Sequence, residues 1–170
     1  MRVRTSMLKP EYPKLLPNRK STRLAGYDYS RIGWYYITTC TKLRAPWFGD
    51  VHEGYMELSD CGSIVEQRWR ALASYPYVFL DEYVVMPDHF HGIIVIDGKT
   101  GDYRNWLVGT GRDLSLQAKV KPIPELIGAF KTTSSKMIHE SGITDFQWQR
   151  SFHDHIIRNN DDLERIRHYI

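Results

Sequence analysis

The stretch Tyr83-Val84-Val85-Met86-Pro87-Asp88-His89-Phe90-His91-Gly92-Ile93-Ile94-Val95-Ile96 contains two apolar runs that a Pro-Asp pair separates. Apolar and β-branched runs of this kind predict two buried strands, and Pro87-Asp88 predicts the turn between them. Side chains alternate between the faces of a strand, so His89 and His91 share one face while Phe90 enters the apolar layer behind them. Their α-carbons are then ~7 Å apart, which lets both imidazoles converge on one metal ion.

A His-x-His tripeptide alone is a weak metal signal, because two histidines near a strand end are often only hydrogen-bonded to their neighbours. The surrounding Val and Ile favour a metal site here, since polar rings in an apolar environment need partners. A second pair, His153 and His155, has charged neighbours at Arg150, Asp154 and Arg158. That setting favours a polar network or contacts with phosphate over metal binding.

The composition is typical of one soluble globular domain. The chain has 170 residues, of which 42% are hydrophobic and 25% are charged. We find no apolar run near the roughly 20 residues that span a bilayer, and no apolar secretory core at the N-terminus. Cys40 and Cys61 are too few for a disulfide framework or a zinc ribbon, so we expect a reduced, cytoplasmic protein.

Positive charge is concentrated at the N-terminus. Residues 1–32 carry eight Lys and Arg against two acidic residues, a net charge of +6, while the rest of the chain carries −3. Pro10, Pro13 and Pro17 favour an extended conformation. We therefore predict a basic extended arm at residues 1–32 and a single domain at residues 33–170. A solvated tail and a phosphate-contacting arm both fit this pattern, and Tyr27 and Tyr29 could stack on bases.

The remaining pattern predicts alternating strands and helices. Strands are expected at 34–41, 77–86, 89–96 and 146–157, with a short strand at 55–58 after a loop at 44–54. Helices are expected at 62–74, at 122–140 with Gly142 ending it, and from an Asn160/Asp161 cap to the C-terminus. Residues 97–121 are expected to form a loop that could order over a substrate. Together these elements predict an α+β fold, an antiparallel sheet with helices packed on its faces.

The order and spacing of several motifs resemble the single-tyrosine transposases of the HUH endonuclease superfamily, particularly the REP-associated tyrosine transposases. The matching blocks are STRLAGYDYS at 21–30, YITTCT at 36–41, VVMPDHFHG at 84–92, FKTTSS at 130–135, WQR at 148–150 and HIIRN at 155–159. Each block is weak alone, and their common order carries the resemblance. It implies a ferredoxin-like antiparallel sheet, a metal-binding pair at His89 and His91, and a nucleophile at Tyr169 on the C-terminal helix.

The resemblance further implies an enzyme that cuts and rejoins single-stranded DNA beside a hairpin through a 5′-phosphotyrosine intermediate. A phenol with an ordinary pKa near 10 is a poor nucleophile at neutral pH. A divalent metal, Mg²⁺ or Mn²⁺, held by His89 and His91 would polarise the scissile phosphate. Attack by Tyr169 would release a 3′-hydroxyl and keep the bond energy in the tyrosyl ester. Tyr83 is a rival nucleophile, but its position on a strand favours packing.

Basic and aromatic side chains are candidates for contacts with DNA, because arginine and lysine bind phosphate and tyrosine stacks on bases. The candidates are Arg19, Arg23, Tyr27, Lys131, Lys136, Arg150 and Arg158. The resemblance also admits a homodimer and implies a location at the nucleoid.

The family pattern continues for one helical turn past its tyrosine, where an Asn or Gln supplies a third metal ligand. This sequence ends at Ile170, so we expect that ligand to be absent and its place to be filled by water or by another residue, for which Asp88, Asp154 and His155 are candidates. A catalytically silent protein that binds hairpin or single-stranded DNA is therefore the alternative function. A metal-dependent hydrolase in which the His pair activates water is a third.

Overall fold

The computed structural model describes residues 23–97 and 120–170. Its strands are β1 (Gly33–Cys40), β2 (Gly49–His52), β3 (Tyr55–Leu58), β4 (Val78–Met86), β5 (His89–Ile96) and β6 (His153–Ile157). Its α-helices are α1 (Asp60–Arg70), α2 (Ile123–Glu140) and α3 (Asn160–Tyr169), and 3₁₀ turns occupy Lys42–Arg44 and Ala71–Ser74. None of the helices in these two ranges has both the length and the apolar character needed to cross a bilayer.

Four strands form one antiparallel sheet in the order β4-β5-β1-β6. The chain passes through β1, α1, β4, β5, α2 and β6, which is the strand-helix-strand-strand-helix-strand order of a ferredoxin-like fold. The predicted α+β class and its antiparallel sheet are therefore confirmed. β2 and β3 pair only with each other and form a separate hairpin.

Helices cover both faces of the sheet. On one face, Trp69 of α1 and Phe130 of α2 pack around Phe90 of β5, at the centre of the larger apolar cluster. On the other face, α3 places Leu163 and Ile166 against Ile93 and Ile157. The alternation of β5 sends Phe90 toward the first face, so His89 and His91 share the second face with α3.

Capping side chains determine where two helices begin. Ser59 accepts a hydrogen bond from the Gly62 backbone N–H at the start of α1. Asn159, one residue before the predicted cap, accepts from the Asp162 N–H at 2.8 Å and begins α3. The pair Asn160/Asp161 therefore lies inside the first turn, where a negative side chain such as Asp161 interacts favourably with the helix dipole.

Two predicted segments differ from the structure. The predicted loop at 44–54 contains β2, which is exposed and polar and so lacks the apolar alternation that marks a half-buried strand. The predicted strand at 146–157 is regular only over β6, and residues before it make a single isolated bridge, between Thr41 and Trp148. Ser151 has a φ of 70°, which interrupts an extended strand.

Residues 1–22 of the predicted arm, and most of the predicted loop at 97–121, lie outside the described residues. The last part of the arm packs on the domain. Tyr29 is only 7% exposed, and its carbonyl accepts a hydrogen bond from the Ile123 N–H at 3.0 Å. Base stacking by Tyr29 is therefore a wrong prediction, and residues 23–32 belong to the packed structure.

Candidate metal and tyrosine site

His89 and His91 lie next to each other on the face of the sheet that α3 covers. Their ring centroids are 4.7 Å apart and their planes meet at 79°. His89 is the first residue of β5 and is partly exposed, whereas His91 is 7% exposed. The convergence of two imidazoles, which the two-residue period of a strand predicts, is present in the structure.

Oxygen atoms contact the Nδ1 atom of each histidine. Nδ1 of His91 lies 2.7 Å from the Tyr36 hydroxyl and 3.0 Å from the Thr38 hydroxyl. Nδ1 of His89 lies 2.5 Å from a carboxylate oxygen of Asp88. In the tautomer that carries its proton on Nδ1, each ring donates to these oxygens and directs the lone pair of Nε2 outward. This arrangement fits a pair of metal ligands.

Electrostatics keep His91 in the neutral form that binds metal. Burial lowers the pKa of His91 to about 4, and the nearby His89 and Arg44 act in the same direction. Burial also raises the pKa of Tyr36, with a further contribution from Tyr169. An uncharged imidazole next to an uncharged phenol is the expected state at neutral pH.

Tyr169 is the last residue of α3, and its ring lies edge-on to the ring of His91. Its ring centroid is 5.4 Å from that of His91, with an angle of 73° between the planes. The side chain is 68% exposed, so the phenol remains accessible to a substrate. Two predicted site residues, the buried His91 of β5 and the exposed Tyr169 of the C-terminal helix, are therefore in contact, with His89 next to His91.

Of the three candidate substitutes for a third metal ligand, Asp154 and His155 lie away from the histidine pair, and Asp88 contacts His89 through Nδ1. Asp154 points to the opposite face of the sheet, where it forms an ion pair with Arg23. His155 is hydrogen-bonded to Asp162 at 2.6 Å, and Asp88 is hydrogen-bonded to Nδ1 of His89. Within residues 23–97 and 120–170, no three His, Cys, Asp or Glu side chains are arranged to hold a metal ion. The hydrogen-bond partner of His155 is thus Asp162 of α3, which the sequence pattern did not indicate.

An open groove of about 810 Å³ lies between α2 and residues 146–150. It brings together three predicted DNA-contacting residues, Lys131, Lys136 and Arg150, beside the ring of Trp148. Lys131 donates to the carbonyls of Gln149 at 2.6 Å and Ser151 at 2.5 Å, so it also holds this wall of the groove in place. Burial lowers the pKa of Lys131 to about 8.

The other predicted residues have different surroundings. Arg23 lies over the ring of Phe152, in addition to its ion pair, and the ring of Tyr27 packs edge-on against Tyr29 and Tyr35. Arg158 is exposed between β6 and α3, and Arg19 lies outside the described residues. Contacts of these four residues with DNA remain predictions.

The sequence pattern predicts the packing of Tyr83 but not the positions of Tyr36 and Thr38. Tyr83 packs as predicted, with its ring stacked on Phe90 and its hydroxyl hydrogen-bonded to Glu66 and Arg70. Tyr36 and Thr38 were not predicted to belong to the site. They stand beside His91 because Thr38 is its register partner on β1. A sequence shows that these two residues share a face, but not which strand lies next to them.

Among the known proteins that this chain is similar to are one sequence relative and two solved structures. An uncharacterised protein of Haemophilus influenzae is 32% identical over 162 residues, which cover 94% of this chain and 90% of that protein. The solved structure of a REP-associated tyrosine transposase bound to a REP hairpin has a TM-score of 0.54 at 18% identity, covering 89% of this chain and 70% of that one.

A putative transposase from Deinococcus radiodurans has a TM-score of 0.46 at 18% identity, covering 86% of this chain and 93% of that one. No family model matches the chain. The likeness to the hairpin-bound transposase shows a shared fold. The identity to the Haemophilus protein extends over nearly the whole of both chains.

Proposed function

We propose that this chain, which belongs to the same family as the uncharacterised Haemophilus influenzae protein, is a metal-dependent transposase-type enzyme that cuts and rejoins single-stranded DNA. The observation that carries the proposal is the position of Tyr169, whose ring centroid lies 5.4 Å from that of His91. An exposed phenol beside two imidazoles with directed Nε2 atoms is an arrangement for phosphoryl transfer to tyrosine.

His89 and His91 would hold a divalent cation, Mg²⁺ or Mn²⁺, through Nε2. Bound there, the cation supplies Lewis-acid polarisation of a phosphate oxygen. Tyr169 attacks phosphorus through its phenol oxygen and loses the phenol proton to solvent. The bond from phosphorus to the 3′-oxygen breaks, and that oxygen leaves as a hydroxyl after taking up a proton. The 5′-phosphate stays on Tyr169, and a 3′-hydroxyl reverses the step when the strand is rejoined.

The groove between α2 and residues 146–150 supports binding of the DNA backbone. Lys136 and Arg150 supply charge at its rim, and the ring of Trp148 offers a surface on which a base could stack. The Gln149 N–H donates to the carbonyl of Cys40 at 2.8 Å, and Cys40 is the register partner of His89. This hydrogen bond links the groove to the end of β1 beside His89, although α2 covers the face of the sheet opposite to His89 and His91. The proposed path of the DNA strand runs from the groove around this end of β1 to the metal and tyrosine site.

The structure with the same fold is bound to a REP hairpin. On that basis we extend the proposal to a hairpin-bearing single strand as the substrate of this chain. A catalytically silent DNA-binding protein is the second candidate. It is favoured because, within the described ranges, no three His, Cys, Asp or Glu side chains are arranged to hold a metal ion.

A covalent-adduct assay separates the two candidates. End-labelled pools of hairpin-bearing single-stranded DNA are incubated with the protein and Mn²⁺ or Mg²⁺, then resolved on a denaturing gel. We expect a metal-dependent adduct that Tyr169→Phe abolishes and that the matched variant Tyr55→Phe retains, since Tyr55 lies on β3 and is 78% exposed. DNA binding without an adduct would favour the silent protein, and turnover without an adduct would indicate a hydrolase.

A further inference from the structure

We infer that Asp81 and Arg167 act as positioning residues that anchor the C-terminal turn of α3 to the sheet and so hold Tyr169 beside His91. The inference rests on the proposed function, because positioning matters only if Tyr169 reacts. The two residues connect an irregular segment of β4 with the end of α3.

β4 carries a bulge at Asp81 and Glu82. Leu80 pairs with Ile94 and Tyr83 pairs with Gly92, so two residues of β4 stand opposite the single residue Ile93. The extra residue returns Tyr83 to the α1 face, where it stacks on Phe90. Asp81 meanwhile points toward α3. A carboxylate of β4 thus lies on the face that the tyrosine helix covers.

Arg167 forms an ion pair with this carboxylate. Its Nε and Nη2 atoms lie 3.1 Å and 2.5 Å from the same oxygen of Asp81. Its guanidinium lies over the ring of Trp34, 5.7 Å from the centroid, and its Nη1 atom is 2.8 Å from Glu164. One side chain therefore joins the last turn of α3 to β4 at the edge of the sheet and to β1 at its centre.

The apolar contacts of α3 are few, so a polar anchor can contribute to holding the helix on the sheet. The helix has 10 residues and buries only Leu163 and Ile166. Helices shorter than ~12–15 residues are marginal in isolation, so tertiary contacts must hold this one. Arg167 lies within the final turn, two residues before Tyr169 and next to the buried Ile166, and Ile170 packs on the same apolar cluster. The anchor is thus the described polar contact to the sheet nearest the phenol.

The anchor is tested by neutralising each partner and by exchanging them. The variants are Asp81→Asn, Arg167→Gln and the double variant Asp81→Arg/Arg167→Asp. Glu82→Gln is the control on the same bulge, and Arg165→Gln is the control on the same helix, where Arg165 pairs within α3 with Asp162. Hydrogen exchange of the backbone amides of residues 166–170 is measured without DNA or metal. The rate of adduct formation is measured at saturating DNA.

We expect each single neutralisation to speed exchange at 166–170 and to slow adduct formation about 10-fold or more, because small misplacements of a reacting group are costly. DNA affinity should stay at the wild-type value, and the exchanged pair should recover part of both losses. Single variants that match their controls would overturn the inference, as would faster exchange throughout α1 and α2. If the wild type forms no adduct, the proposed function fails, while the exchange measurement still tests the anchor.

Discussion

The phenol ring of Tyr169 lies edge-on to the imidazole of His91, with 5.4 Å between the ring centroids, although the two residues belong to α3 and β5. The relationship exists because α3 packs Leu163 and Ile166 on the face of the sheet opposite Phe90. Alternation along β5 places both histidines on that same face. The packing of α3 on this face of the sheet thus brings the proposed nucleophile close to the proposed metal-binding pair.

His89→Ala should separate metal chemistry from DNA binding. We expect metal-dependent adduct formation to fall by at least about 100-fold, since loss of a direct ligand costs no less than loss of an outer partner. DNA affinity should change little, because the groove residues are untouched. His153→Ala is the matched control, as His153 is exposed and lies across Thr38 from His91. Parallel loss of DNA binding and adduct in His89→Ala would contradict the metal role.

The hydroxyls of Tyr36 and Thr38 should tune metal affinity through His91. Both contact Nδ1 of His91, so each single variant, Tyr36→Phe or Thr38→Val, keeps one partner. We expect the double variant to weaken Mn²⁺ binding about 10–100-fold, measured by titration of the free-ion electron paramagnetic resonance signal without DNA. Tyr83→Phe removes a hydrogen-bonded hydroxyl from the other face and should bind Mn²⁺ like the wild type. Unchanged affinity in the double variant would contradict the role of these hydroxyls.

Period-two alternation was sufficient to predict that His89 and His91 share a face, because that inference needs only one strand. Tyr36 and Thr38 could not be assigned to the site in the same way, since their neighbours depend on the pairing register of β1 with β5. The hydrophobic pattern of residues 77–86 does not indicate the bulge at Asp81. Tyr169 was identified through the resemblance, and only the packing of α3 shows where its side chain lies.

Gly92→Ala tests how closely α1 packs on β5. A β-carbon built at Gly92 lies 2.6 Å from Cζ2 of Trp69 and 2.9 Å from Cε1 of Phe90, and Trp69 is fully buried. We expect the free energy of unfolding to fall by ~1–3 kcal/mol, as for overpacking of a core. Gly128→Ala is the control, because that site on α2 has open space and alanine favours a helix by up to ~1 kcal/mol. Chemical denaturation of both variants measures the difference.

Lys131 predicts a pH dependence of stability. Burial lowers its pKa from 10.5 to about 8 in the folded protein. Between these values the unfolded chain holds one more proton than the folded chain, so this group adds stability as the pH rises from 8 toward 10.5. The unfolding free energy of the wild type minus that of Lys131→Met should therefore increase over this window. A difference that stays flat or falls would contradict the lowered pKa.

The basic N-terminus should contribute to DNA affinity. Residues 1–22 carry six Lys and Arg against one acidic residue, a net charge of +5. Deleting them should weaken DNA binding mainly at low salt and reduce the slope of log affinity against log salt, because fewer counterions are released. Deleting residues 1–32 should instead destabilise the domain, since it removes Tyr29 and the carbonyl that accepts from Ile123. An unchanged salt slope after the shorter deletion would show that the charge of the arm does not reach the DNA.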